Sequence, residues 1–247
     1  MIRIRSKFHF LFYCISIIVL FSESINAQSS PPLLLNDPGT PGAGKWEINV
    51  MTSLEHSAVN DEWQILIFDI NYGLGDRSQI TVALPYIVDR DRGIRVWLGF
   101  DGVEFGFKYR FLDKSEFLNS DFSFNPKVYS PFKTEEGSEF ILPLEWHRTW
   151  SNVGLTAEIG HVWVQGESNR WEGGVGIAIF FERVQLFGEW HTSVRKAPFD
   201  LGEPMVNIGL SWKWLENVSL YFSIGKSLFY HEEETNFWSL GGIQFLF

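Results

Sequence analysis

The tripeptide Glu-Trp-His occurs twice, as Glu145-Trp146-His147 and as Glu189-Trp190-His191, and Ser193 extends the second copy at the same two-residue spacing. Glu189, His191 and Ser193 are the residue types of an acid–base–nucleophile set. In an extended chain, alternate residues share a face but stand ~7 Å apart. Such a set works only with contacts near ~3 Å, so a plain strand does not assemble it. Polar lining of an interior is the favoured reading, and no catalytic residue is expected. The two copies also offer two imidazoles and two carboxylates, donors that suit a metal. They fall on segments that the sequence gives no reason to pair, so no metal site is expected. His231-Glu232-Glu233-Glu234 is a charge run that could hold divalent cations bridging lipopolysaccharide, but a solvated loop is the stronger reading. There is no phosphate-cradling glycine loop, zinc-protease helix or calcium-hand loop, and no cofactor is expected. Asp76 and Arg77 read as turn residues.

Charge and cysteine usage exclude further classes. The chain of 247 residues carries a net charge of −10. Removal of Arg3, Arg5, Lys7 and Glu23 with an N-terminal leader makes it two units more negative. No Lys/Arg cluster offers phosphate contacts, so nucleic acid is not an expected partner. The sole cysteine, Cys14, lies within that leader, which leaves no thiol for disulfides or nucleophilic chemistry.

The leader itself is a basic stretch followed by an almost wholly apolar run, Phe8 to Phe21, and then Ile25-Asn26-Ala27. That is the layout of a secretory signal peptide with cleavage between Ala27 and Gln28. The apolar run falls short of the ~20 residues of a spanning helix. Residues 1–27 are therefore read as signal peptide, 28–44 as an extended periplasmic lead-in rich in Pro, Gly and Leu, and 45–247 as one domain.

In that domain the apolar residues recur with period two. Aromatics make up 17% of the chain, yet mean hydropathy is only −0.04, so the apolar residues must be sorted by pattern. Val218, Leu220, Phe222 and Ile224 alternate with Ser219, Tyr221 and Ser223. Val175, Ile177 and Ile179 alternate with Gly174, Gly176 and Ala178, and Val103, Phe105 and Phe107 with Glu104, Gly106 and Lys108. This is strand periodicity. Tight links such as Gly73 to Arg77, His147 to Ser151, Phe181 to Arg183 and Leu215 to Asn217 alternate with longer polar ones. The longer links are Glu55 to Glu62, Ile87 to Gly99, Ser130 to Phe140, Gln165 to Arg170, Arg195 to Glu203 and Phe229 to Thr235. Short turns at one end and long loops at the other are the habit of an outer-membrane barrel. Strands are expected to begin near Lys45, Trp63, Ser78, Phe100, Ser120, Ile141, Asn152, Trp171, Val184, Pro204, Val218 and Asn236. The expected fold is an all-β, antiparallel transmembrane β-barrel of about 12 strands with both termini periplasmic.

Trp and Tyr at strand ends, among them Trp46, Trp63, Tyr72, Tyr109, Tyr129, Trp163, Trp171 and Trp212, fit interfacial girdles. The chain ends in Ile243-Gln244-Phe245-Leu246-Phe247. Phe245 and Phe247 in a final strand look like the signal read by the barrel-assembly machinery. A closed barrel is also the β structure that leaves no unpaired backbone edge in lipid.

Several stretches carry a family resemblance. They are Pro38-Gly39-Thr40-Pro41-Gly42 leading to Gly44-Lys45-Trp46-Glu47-Ile48-Asn49; Asp69-Ile70-Asn71-Tyr72-Gly73-Leu74-Gly75-Asp76-Arg77 running into Leu84-Pro85-Tyr86; Gly106-Phe107-Lys108-Tyr109-Arg110-Phe111; and Asn125-Pro126-Lys127-Val128-Tyr129 with Pro131. Together they resemble the bacterial family labelled for the MetA pathway of phenol degradation. The resemblance implies an outer-membrane barrel of a transporter family, and small aromatic or hydrophobic solutes.

If Val, Leu and Phe face lipid, their alternates face the lumen. The expected lining is Glu47, Asn49, Asp69, Asn71, Glu104, Lys108, Arg110, Lys127, Glu145, Glu158, Glu189, His191, Asn207 and Lys213. Both signs are present, which suits either a charged, water-filled pore or a lumen closed by salt bridges. The many small alternates, such as Gly106, Gly174, Gly176 and Gly209, favour a narrow channel. The leading expectation is an outer-membrane channel passing a small solute by diffusion, in contact with outer-membrane lipid and lipopolysaccharide. A non-conducting structural or adhesive barrel, and a lipid-acting barrel enzyme, are the alternatives.

Overall fold

In the computed structural model the alternating segments form strands throughout. The structure describes residues 35–57, 60–91, 96–116, 118–133, 137–195, 204–229 and 236–247. The expected signal peptide with its Ala27/Gln28 cleavage point, the first residues of the lead-in, and His231 to Glu234 lie outside them. In chain order the strands are β1 (Trp46–His56), β2 (Asn60–Gly75), β3 (Ser78–Asp91), β4 (Val96–Phe100), β5 (Gly102–Leu112), β6 (Ser120–Phe124) and β7 (Lys127–Pro131). Then follow β8 (Glu139–Trp150), β9 (Val153–Val164), β10 (Arg170–Phe180), β11 (Val184–Val194), β12 (Met205–Leu215), β13 (Val218–Ser227) and β14 (Phe237–Leu246). Among the described residues there is no helix.

All pairings are antiparallel, and β14 pairs with β1, so the sheet closes on itself. Two barrel strands are interrupted. β4 and β5 both run along β3 and are separated only at Asp101. β6 and β7 both lie between β5 and β8 and are separated at Asn125-Pro126, where proline has no N–H to give to a ladder. The fourteen segments therefore make a closed barrel of twelve strands. The seam is sealed at its end by Trp46 and Phe247: Trp46 N–H donates to the Phe247 carbonyl at 2.6 Å, and Phe247 N–H returns to the Trp46 carbonyl at 3.0 Å. Phe245 pairs with Ile48 on β1 and Val218 on β13.

Burial is inverted relative to a soluble sheet. Ile80, Phe105, Ile159, Val175, Ile177, Ile208 and Phe222 are exposed on the outer face, while Glu47, Asn49, Glu145 and Asn207 are buried on the inner one. Water does not cover a belt of that kind at low cost. A hydrocarbon layer does, and the closed sheet presents no open strand edge to it.

The structure departs from the sequence reading at several places. Ile87 to Gly99, expected as a loop, is largely a hairpin: Ile87 pairs with Gly99, Val88 with Leu98 and Arg90 with Val96. Its charged residues suggested a loop, but a strand that extends beyond the apolar belt is free to be polar. His147 to Trp150, expected in a turn, continues β8, and the reversal falls at Ser151, whose φ is 51°. Tyr129, expected in a girdle, turns inward, with its hydroxyl donating to Asp101 at 2.5 Å. Not every apolar alternate faces outward either. Met51, Trp238 and Leu240 join Tyr221, which the alternation already puts on the inner face, in a buried interior cluster, with Ile67 and Met205 packed against it.

Candidate functional site

The inner wall is built from one face of each strand, so the register decides which polar groups meet. On β1 and β2, Glu47 lies opposite Asn71 and Asn49 opposite Asp69. Carboxylates only accept hydrogen bonds, and the amides between them supply the donors. Asn49 Nδ2 donates to Glu47 at 3.0 Å and to Asp69 at 3.2 Å. Asn71 Nδ2 donates to the same pair at 3.3 and 3.2 Å, while Asn71 Oδ1 accepts from Gln79 and Thr81.

Across the bore, the wall of β5 to β9 carries a second network. Lys127 lies 3.3 Å from Glu104, and Lys108 lies 3.5 Å from Glu145. Glu145 is fully buried and accepts from Ser123 Oγ at 2.5 Å and Asn125 Nδ2 at 3.0 Å. Glu158 stands directly opposite Glu145 in the ladder. Further round, Asn207 Nδ2 donates to Glu189 at 2.8 Å.

Residues 35–44 of the lead-in lie inside the end of the barrel where the turns are. Asn36 donates to Glu158 Oε2 from both its backbone N–H and its side-chain amide, each at 2.9 Å. Lys108 Nζ donates to the Asp37 carbonyl. Thr40 Oγ1 and Arg110 Nη2 both donate to the Asp76 carbonyl, at 2.9 Å each. Leu35 is buried against the bare backbone of β10: a Cβ on Gly174 would come within 2.9 Å of it. Small inner-wall residues thus leave room for side chains that fill the bore. Phe187 occupies the space over Gly209, and Tyr221 the space over Gly242. A cavity of about 370 Å³ remains beside the lead-in, between Asp37, Pro38 and Gly39 on one side and Arg110, His147 and Thr149 on the other.

Of the expected lining, twelve residues fall into these networks. His191 and Lys213 stand apart. His191 is half-buried, opposite Gly174 and Met205. Lys213 sits at the rim and pairs with Glu216 of the adjacent turn at 2.8 Å. The repeated tripeptides lie on β8 and β11, with two strands between them. His147 is held by the hydroxyls of Thr156 and Thr149, each at 2.9 Å, and Ser193 lies opposite Glu172. Sequence reasoning missed Asn36, Ser123 and Asn125. The break at Asn125-Pro126 was the available signal, because an interrupted strand frees its polar side chains to turn toward a neighbour.

No family model and no curated protein match the chain. Solved structures do. The KdgM porin superposes with a TM-score of 0.58 at 11% identity, covering 81% of this chain and 98% of that one. The COG4313 outer membrane channel from Pseudomonas putida F1 gives 0.57 at 9% identity, covering 92% and 100%. The NanC porin gives 0.54 at 8% identity, covering 81% and 98%. The shared property is the fold, a closed barrel of the outer-membrane porin kind.

Proposed function

We propose that this chain is an outer-membrane channel that passes small solutes by diffusion along the barrel interior. The observation that carries the reading is the inverted burial of a closed barrel: an exposed apolar belt outside, and a charged, hydrogen-bonded wall inside. The fold shared with porins and with an outer membrane channel supports it. In this reading the turn-rich end and both termini face the periplasm, residues 1–27 leave at Ala27/Gln28, and the outer face meets lipid and lipopolysaccharide. The strand bearing Phe245 and Phe247 engages the assembly machinery.

The solute is small, because residues 35–44 and inward side chains narrow the bore. An apolar or aromatic portion is accommodated by the interior cluster of Met51, Ile67, Met205, Tyr221, Trp238 and Leu240. One KdgM porin structure holds disordered oligogalacturonate. A polyanion of that type is disfavoured here by the carboxylates of the inner wall. The test is swelling of proteoliposomes in uncharged solutes of graded size. Swelling with the smallest solutes and exclusion of larger ones is the expected result; swelling no faster than protein-free liposomes would reject it. The lead-in contacts favour one further reading, a barrel that does not conduct, and that test separates the two.

A further inference from the structure

The outer wall carries a charge that the bore does not use. On β8 the exposed Leu142, Leu144 and Trp150 set the outward phase, and the ladder to β9 runs without a register shift. Arg148 shares that phase: it lies opposite Leu155 on β9 and Ser120 on β6. Among the described residues it is the one Lys, Arg, Asp or Glu on the outward face of β5, β6, β8 and β9. The nearby carboxylates of Glu145 and Asp121 belong to the inward phase.

The side chain shows where the membrane boundary falls. Arg148 stands one pleat repeat, ~7 Å, farther from the turn than Trp150. Yet its guanidinium carbon lies over the Trp150 ring, 4.4 Å from the centroid. The stem therefore runs back along the apolar wall and carries the charge toward the rim. Trp150 belongs to the aromatic girdle at that end, with Phe111, Trp212 and Trp214 exposed beside other turns. The guanidinium makes no hydrogen bond or ion pair among the described residues: Nε is covered by the protein, and the two terminal NH2 groups stay open to the surroundings. An Arg fork at this depth matches the paired oxygens of a phosphate.

We propose that Arg148 and Trp150 form a binding site for the phosphodiester of a glycerophospholipid, with an acyl chain lying along Trp146 and Leu144. This inference rests on the outer wall facing lipid and the turn end facing the periplasm, as in the reading above, but does not need the bore to conduct. That orientation puts phospholipid, and not lipid A, against Arg148. The absence of an acidic partner for an ammonium on this face, among the described residues, favours an anionic headgroup such as phosphatidylglycerol over phosphatidylethanolamine.

The experiment is native mass spectrometry of the membrane-purified protein in mild detergent, titrated with palmitoyl-oleoyl phosphatidylglycerol. Matching phosphatidylethanolamine, diacylglycerol and lipid A are titrated in parallel. Phosphatidylglycerol is expected to bind most tightly and diacylglycerol, which lacks the phosphate, least. Arg148→Gln weakens phosphatidylglycerol binding by about tenfold. Arg148→Lys, which keeps the charge and loses the fork, weakens it less. Lys226→Gln, on the outer face at the loop end, leaves it unchanged. Equal binding by wild type and a heat-modifiable, folded Arg148→Gln would overturn the proposal. So would a wild type that holds diacylglycerol as tightly as phosphatidylglycerol, a comparison that needs no variant to fold. Displacement of phosphatidylglycerol by lipid A at Arg148 would overturn it too, by placing this end in the other leaflet. Conductance is a separate readout: a silent barrel that still binds phosphatidylglycerol through Arg148 removes the channel reading and supports this one.

Discussion

Gly42 and Gly73 meet backbone to backbone: a Cβ built on Gly73 would lie 1.8 Å from the Gly42 carbonyl oxygen. Gly42 has φ +91° and Gly44 φ +73°, and Gly44 N–H donates to the Gly73 carbonyl at 2.8 Å. The lead-in is thereby seated on β2 by a contact that only hydrogen at Gly73 permits. Gly73→Ala is expected to displace residues 39–44 and to cost about 1–3 kcal/mol. Urea unfolding in lipid vesicles measures the cost, and a larger single-channel conductance reports the displaced segment.

Much of the fold was legible from period two alone. Glu47, Asn49, Asp69 and Asn71 are inward because Ile48 and Ile70 alternate with them. The Gly42–Gly73 contact was not legible: the two glycines stand in separate stretches, and alternation within a strand says nothing about a segment lying across it. That Met51, Trp238 and Leu240 face inward was not legible either, for another reason. Phe237 and Trp238 put apolar groups on both faces of β14, and periodicity then cannot choose the inner one. The inward set of polar residues was readable, but its pairing required the register, which is a property of neighbouring strands.

Glu145 is buried among Ser123, Asn125 and Lys108. Replacing it with Ala removes two hydrogen bonds and leaves the Lys108 ammonium without its carboxylate. The expected loss is about 3 kcal/mol, because the stranded cation adds to the lost bonds. Glu145→Gln, whose remaining oxygen still accepts from Asn125 and whose NH2 donates to a reoriented Ser123 hydroxyl, is expected to lose less. Paired urea titrations of the two variants check the order.

The outer belt is tested by a charge placed on it. Val175 and Ile177 lie exposed on β10, midway along a strand. Val175→Arg is expected to destabilise the folded barrel in bilayers by about 2–4 kcal/mol, as for a cation at the midplane. A change near zero would mean that this face is not in hydrocarbon.

In the turn that follows β5, the Ser115 backbone N–H and hydroxyl donate to Asp113 and hold its carboxyl below the usual carboxylate range. A depressed folded-state pKa contributes stability above the unfolded value, and that contribution is lost as pH falls through the folded one. Asp113→Asn is therefore expected to be less stable than wild type at neutral pH, with the difference shrinking below the ordinary carboxylate range. Unfolding midpoints measured across acid pH decide this.

The central claim is that the barrel is open to solutes along its axis. Voltage-clamped planar bilayers containing the purified, heat-modifiable protein test it most directly. Discrete current steps, larger in Gly73→Ala than in wild type, are the predicted result. A folded and inserted barrel that stays silent at every applied voltage, in wild type and in Gly73→Ala alike, would contradict the account.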